Sequence, residues 1–194
     1  MENTSRDPSV PHLPKRRDVL LGLIASAGPG WVWSADVVGL LRAGGCAVLL
    51  RHAETVPGTG DPPGFKLGDC ATQRNLSSGG QVASRRLGEW FGSRGLQPVA
   101  VRASAWCRCI DTARLAFGRV QVWAPLNSVF NDRVTLPDQT QQLRQALAGL
   151  KDGEFEVWVS HQVNITTLSG EYLAMGEGCL LNRQGKVMAR LQLA

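Results

Sequence analysis

The sequence predicts an α/β protein, a three-layer sandwich whose mostly parallel central sheet is flanked by helices. Three observations lead there. Short apolar runs alternate with helical patterns from residue 36 onward, the order that builds parallel sheets. Cys46-Ala47-Val48-Leu49-Leu50 is apolar throughout, as a strand covered on both faces must be. Cys179–Leu181 and Val187–Leu193 flank Asn182-Arg183-Gln184-Gly185, a hairpin that adds antiparallel pairing at one edge.

The elements follow in order. Asp36 to Ala43 is a short helix stopped by Gly44-Gly45, and residues 46–50 are the first strand. Thr55 to Asn75 is a long Gly-, Pro- and Asp-rich loop, a length that inside a compact domain is usually either disordered or functional. Ser77 or Ser78 caps a helix running to about Arg94. Val99–Val101 is a strand, Cys107–Phe117 a helix ended by Gly118, and Val120–Trp123 a strand. Gln139–Leu150 is a helix, Phe155–Val159 a strand, and Asn164–Leu168 a short helix. Trp158 belongs in the core, Trp106 and Trp123 in the core or a pocket wall, and Asn164 is structural despite its Asn-Ile-Thr setting.

The chain has 194 residues, 43% hydrophobic and 19% charged, which excludes a disordered protein and leaves room for one domain. Residues 1–27 read as an export address. Lys15-Arg16-Arg17 precede the uncharged run Val19–Ala27, and Ala25-Ser26-Ala27 has the small-x-small form of a peptidase site. Cleavage is expected after Ala27 or as late as Ala35. That run is far shorter than the roughly 20 residues that span a bilayer, so no stable membrane insertion is expected. The paired arginines resemble a twin-arginine signal, so the expected partner is the twin-arginine export machinery and the expected location the periplasm. Residues 36–194 are expected to form the folded domain.

Net charge is +5, which favours anionic partners. Lysine is scarce and no aromatic stacking stripe accompanies the arginines, so a nucleic acid is not expected. No oligomeric state follows from the sequence.

Ligands of such sheets bind beyond the carboxyl ends of the strands. Three predicted strands run into Arg51-His52-Ala53-Glu54, into Ser104-Ala105-Trp106-Cys107-Arg108, and into Ser160-His161-Gln162. Two guanidinium forks can grip a phosphate monoester and stabilise charge on its equatorial oxygens. A neutral imidazole can take the phosphoryl group covalently. The second imidazole can hydrogen-bond the moving oxygens, as a cation if the anion raises its pKa. Neither metal nor cofactor is required.

Leu49-Leu50-Arg51-His52-Ala53-Glu54-Thr55, Leu76-Ser77-x-x-Gly80, Arg108-x-x-x-Thr112-Ala113 and Val157-Trp158-Val159-Ser160-His161 resemble, in order, motifs of the histidine phosphatase superfamily. The resemblance spans about residues 46–193 and implies a phosphoglycerate mutase-like fold. It implies His52 as nucleophile, Arg51 and Arg108 as phosphate ligands, and His161 completing the pocket. The implied activity is that of a phosphatase on a small-molecule or glycan phosphate ester. The chain is shorter than a phosphoglycerate mutase and lacks its inserted domain, which disfavours an isomerase. A phosphate- or phosphoglycan-binding protein without turnover is the alternative from another class.

Two departures stand out. Ala53 replaces a usual glycine, and Leu126-Asn127-Ser128 occupies the slot where many members carry a general-acid glutamate. Asp132 is the nearest carboxylate and the first candidate for that role; Glu54 and Asp61 are the others. Glu54 and Arg74 are further candidates for substrate binding. Gly58 to Phe65 is a substrate lid or a plain surface loop. In an oxidising compartment Cys70 is expected to bridge to Cys109, or failing that to Cys107, while Cys46 and Cys179 sit in the core.

Overall fold

The computed structural model describes residues 35–130 and 133–192 besides Met1, so the export-signal reading falls outside the described residues. In chain order the elements are α1 (Ala35–Ala43), β1 (Cys46–Arg51), α2 (Ser78–Gly92), β2 (Ala100–Ala103), α3 (Cys107–Phe117) and β3 (Gln121–Val122). Then come α4 (Leu136–Ala148), β4 (Phe155–Ser160), α5 (Gln162–Ser169), β5 (Gly178–Asn182) and β6 (Val187–Leu191). Six strands form one sheet in the order β3-β2-β4-β1-β5-β6. Pairings from β3 through β1 are parallel, and the β5–β6 hairpin adds the antiparallel edge.

The apolar run of β1 divides by alternation. Cys46, Val48 and Leu50 face a core with Val37 and Leu41 of α1, Leu87 and Phe91 of α2, and Ala113 of α3. Ala47 and Leu49 face a second core with Leu143 and Leu147 of α4, Ile165 and Leu168 of α5, and Trp158. Two helical layers around one sheet give the expected sandwich.

Boundaries shift where local chemistry outweighs periodicity. Helix α4 starts at Leu136 because Pro137 sits in its first turn, where its missing N–H costs nothing. Helix α2 starts where expected: Ser77 Oγ accepts from the Gly80 amide. Strand β3 is only two residues, both exposed. The long loop is partly ordered, with β-bridges Thr55–Leu76 and Lys66–Asp69 and a 3₁₀ turn at Cys70–Thr72.

A disulfide ties that loop to α3, and it joins Cys70 to Cys107 rather than to Cys109. Two residues apart on a helix, the two cysteines point in nearly opposite directions. Cys107 meets the loop; Cys109 is wholly buried in the core, its thiol pushed up to about 12 by burial. Cys46 and Cys179 are buried free thiols, as expected.

Helices α2 and α3 meet at Gly88, where a Cβ would lie 2.0 Å from the Ala116 carbonyl oxygen. Gly88→Ala is expected to cost about 1–3 kcal/mol through overpacking. Gly92→Ala, with open space around it, is expected to be neutral or to stabilise by up to about 1 kcal/mol. Equilibrium urea unfolding of both variants checks the pair.

Candidate active site

Three adjacent parallel strands, β2, β4 and β1, deliver the site residues to one rim. The register sets Arg51 beside Ser160, and the His52 amide donates to the Ser160 carbonyl at 3.1 Å. The Ser104 amide donates to Val159 at 3.0 Å on the other side of β4. His52, Ser104 and His161 therefore leave the sheet side by side. A cavity of about 540 Å³ opens there, lined by Arg51, His52, Asp61, Arg74, Arg108 and His161 together with Trp106, Phe65 and others.

His52 is buried, and its Nδ1 lies 2.9 Å from the Ala53 carbonyl oxygen. That oxygen can only accept, so Nδ1 carries the proton and Nε2 keeps its lone pair. Burial is the chief cause that drives the His52 pKa down to about 3; the Ala53 carbonyl opposes it, and Arg108, Arg51 and Arg74 reinforce it. His52 is thus a neutral imidazole whose Nε2 lone pair is not protonated. The rings of His52 and His161 are 5.5 Å apart between centroids. Ser104 Oγ lies 2.8 Å from His161 Nε2, which leaves Nδ1 as the nitrogen available to a bound oxyanion. Burial first, then Arg108, holds the His161 pKa well below its ordinary value, so in the free protein this ring is neutral too.

Arg51 Nη1 donates to the Leu173 carbonyl at 2.7 Å, and Arg74 Nη1 to the Gly58 carbonyl at 2.6 Å. The Nε atoms of Arg51, Arg74 and Arg108 are all buried without an acceptor among the described residues. Three cationic groups with spare donors line one cavity, where an anion would satisfy them.

The Arg-x-x-x-Thr spacing has a structural reason. Thr112, one turn beyond Arg108, donates to the Arg108 carbonyl at 2.7 Å and accepts from the Ala53 amide at 3.0 Å. One hydroxyl thereby couples the helix start that carries Arg108 to the strand end that carries His52. Asn127 does similar work: its Oδ1 accepts from the Ala105 amide, and its carbonyl accepts from Asn164 Nδ2, both at 2.8 Å. Asn164 is buried and structural, as expected.

Arg51, His52, Arg74, Arg108 and His161 share the cavity; Glu54 does not. Its carboxylate accepts from Ser77 Oγ at 2.7 Å beside the start of α2, on a separate groove, so its place as a substrate ligand is not supported by this geometry. Asp132 lies outside the described residues.

Asp61, one of the alternatives for the acid, lines the cavity. Its Oδ1 accepts from Arg108 Nη1 at 2.7 Å and from the Arg74 amide at 3.1 Å, and its Oδ2 from Trp106 Nε1 at 3.0 Å. Burial raises its pKa, but the Arg108 and Arg74 hydrogen bonds outweigh burial and lower it, so it is a carboxylate. With Phe65 resting 6.0 Å from Trp106 between ring centroids, residues 58–65 are a cavity wall and not a plain surface loop. Sequence reading missed Phe130, Gln162, Tyr172 and Met175, which also line the cavity. Tyr172 is the chain's one tyrosine and is 74% exposed, a composition signal that could have found it.

No protein-family model and no curated protein sequence matches the chain. Solved structures do. A protein histidine phosphatase SixA, complexed with tungstate, matches with TM-score 0.52 at 14% identity, over 76% of this chain and 96% of that one. The SixA protein of Agrobacterium tumefaciens matches with TM-score 0.51 at 17% identity, over 77% of this chain and 98% of that one. TTHB049 from Thermus thermophilus matches with TM-score 0.50 at 19% identity, over 76% of this chain and 99% of that one. The shared architecture is a phosphoglycerate mutase-like fold.

Two buried neutral histidines make the fold acid-sensitive. An unfolded histidine binds a proton below its ordinary value of 6.5, whereas native His52 does so only near 3. Between these values the unfolded state holds more protons, so stability rises with pH and falls on acidification. Unfolding free energy measured across about pH 4 to 7 is expected to decline toward acid, less steeply in His52→Ala.

Proposed function

We propose that this chain is a metal-independent phosphatase that hydrolyses a phosphate monoester through a phosphohistidine on His52 Nε2. The observation that carries this reading is charge and donor geometry around one nucleophile. Three guanidiniums and one carboxylate leave the described cavity lining with two positive charges, matching a phosphate monoester dianion. The three guanidiniums line the cavity beside a neutral imidazole with a free lone pair. A lining this cationic is a poor host for a metal ion and a good one for an oxyanion.

The chemistry follows. Arg51, Arg74 and Arg108 hold the phosphate; His52 Nε2 attacks phosphorus and the ester oxygen leaves with its electron pair. His161, through Nδ1, hydrogen-bonds the transferring oxygens and acquires cationic character as the bound dianion offsets the arginines. Water then attacks the phosphohistidine, inorganic phosphate leaves, and neutral His52 returns. Splitting the reaction uses a nucleophile already positioned in a dry site. The fold shared with proteins named histidine phosphatase supports the reading, and the Cys70–Cys107 bridge supports export to an oxidising compartment. One observation favours a binding protein without turnover: Ser128, not a glutamate, stands at the expected acid slot and lines the cavity.

Assay of p-nitrophenyl phosphate decides between them. Turnover is expected to persist in chelator, and His52→Ala to abolish it with loss of an acid-labile, base-stable phosphoenzyme. Arg108→Ala is expected to lower kcat/KM by roughly 10²–10³, the cost of one transition-state donor. Phosphate binding with no turnover would select the binding protein.

A further inference from the structure

We propose that Asp61 supplies the proton to the leaving group, and that the substrate's phosphate arms it by taking its place on Arg108. This rests on the phosphatase reading above and deepens it. Expelling an alkoxide without a proton is unfavourable, and a positioned acid is worth roughly 10²–10⁴ in rate. The slot after β3 holds no acid. Among the described residues, Asp61 is the sole carboxylate lining the cavity.

Its position fits the task. Asp61 Oδ1 lies 2.7 Å from Arg108 Nη1, and both side chains are almost fully buried, 7% and 6% exposed. An oxyanion on Arg108 is therefore one guanidinium away from this carboxyl. Nucleophile and leaving group must lie on opposite sides of phosphorus. His52 approaches from the sheet edge, whereas Asp61 belongs to the separate loop wall that also holds Phe65 against Trp106.

The free protein holds Asp61 as a carboxylate, and a carboxylate cannot donate. The same contacts show how it becomes an acid. What keeps the proton off is mainly its hydrogen bonds from Arg108 and the Arg74 amide, with Trp106 adding to them; burial pulls the other way. A phosphate dianion competes for Arg108 and brings negative charge beside the carboxyl. Arg51, Arg74, His52, His161 and Tyr172 are the other charged or titratable groups of the described lining, and the dianion offsets those arginines too. Burial and like charge then favour the neutral carboxyl, so substrate binding draws in one proton. The steps balance. Asp61–COOH gives its proton to the departing ester oxygen, yielding the alcohol and Asp61–COO⁻. That carboxylate next takes a proton from the water that attacks phosphohistidine, and the cycle closes.

Two measurements test this on Asp61→Asn. One compares glycerol 2-phosphate, with a poor leaving group, against p-nitrophenyl phosphate, with a good one. The proposal expects a loss of roughly 10²–10⁴ on the first and under about tenfold on the second, with Asp61→Glu recovering glycerol 2-phosphate activity. The other follows tungstate, a tetrahedral dianion, by calorimetry in buffers of different ionisation enthalpy. Wild-type protein should take up about one proton more per tungstate than Asp61→Asn. Equal losses on both esters, faster turnover of both, or unchanged proton uptake would each overturn the proposal, leaving Asp61 an anchor or competitor for Arg108. Wild-type protein that binds tungstate but hydrolyses neither ester sinks the phosphatase reading itself, and the donor role with it.

Discussion

The parallel register of three strands is the constraint on which the site depends. β4 lies between β2 and β1, with Val159 beside Ala103 and Ser160 beside Arg51. Each neighbour ends within a residue of the others, so the first residues beyond the sheet share one rim. A one-residue slip of β4 would turn its side chains to the opposite faces and carry His161 away from Ser104 and His52. That register is enforced from both sides. Val157 and Val159 belong to one core, Trp158 to the other, and neither can be exchanged without burying the wrong volume.

On that frame the electrostatics nearly follow from burial. Imidazoles removed from water lose their protons, and three nearby guanidiniums push the same way. The arginines keep their charge, because a guanidinium is not deprotonated in proteins. The rim therefore combines uncharged nucleophilic nitrogen with unpaired positive charge, a combination that water would not sustain. An isolated buried charge is costly, and here the cost is partly met by backbone carbonyls on Arg51 and Arg74 and by Asp61 on Arg108. Among the described residues, Arg108 alone of the three has a carboxylate for its partner, so it is the one whose contacts an incoming anion must rearrange.

The sandwich and the four rim residues were legible in the sequence because both are local signals. A strand buried on both faces is apolar throughout, and a charged residue just after it has few places to go except the rim. Arg51 ends β1, His52 and His161 directly follow β1 and β4, and Arg108 lies in the first turn of α3, five residues beyond β2. What was not legible depends on how the long loop packs. Glu54 sits two residues beyond His52 in sequence, yet the chain has already turned toward α2, and Ser77 takes its carboxylate. Asp61 is remote in sequence from every rim residue and reaches them by tertiary folding alone. The choice between Cys107 and Cys109 turned on the helix phase of α3, which composition does not fix. Tyr172 and Met175 follow α5 in a segment without periodicity, so no pattern marks them as cavity lining.

The loop supplies the last link between fold and chemistry. Cys107 is the residue before Arg108, so a covalent bond from Cys70 fastens the loop beside the guanidinium that Asp61 contacts. Closing that 37-residue separation removes conformational freedom from the unfolded chain worth on the order of 3–4 kcal/mol in the chain-entropy account. More of its effect is local. Gln73, near the bridge, accepts from the Cys107 amide through Oε1 at 3.0 Å, and Arg74 follows it into the cavity. Bridge, amide contact and Asp61 ion pair thus all converge on the first turn of α3. A glutamate after β3 would be held by the sheet; a carboxylate on a loop must be held by something else. The disulfide and the Arg108 contact together supply that hold, which is why a loop residue can stand in the site with the burial of a core one.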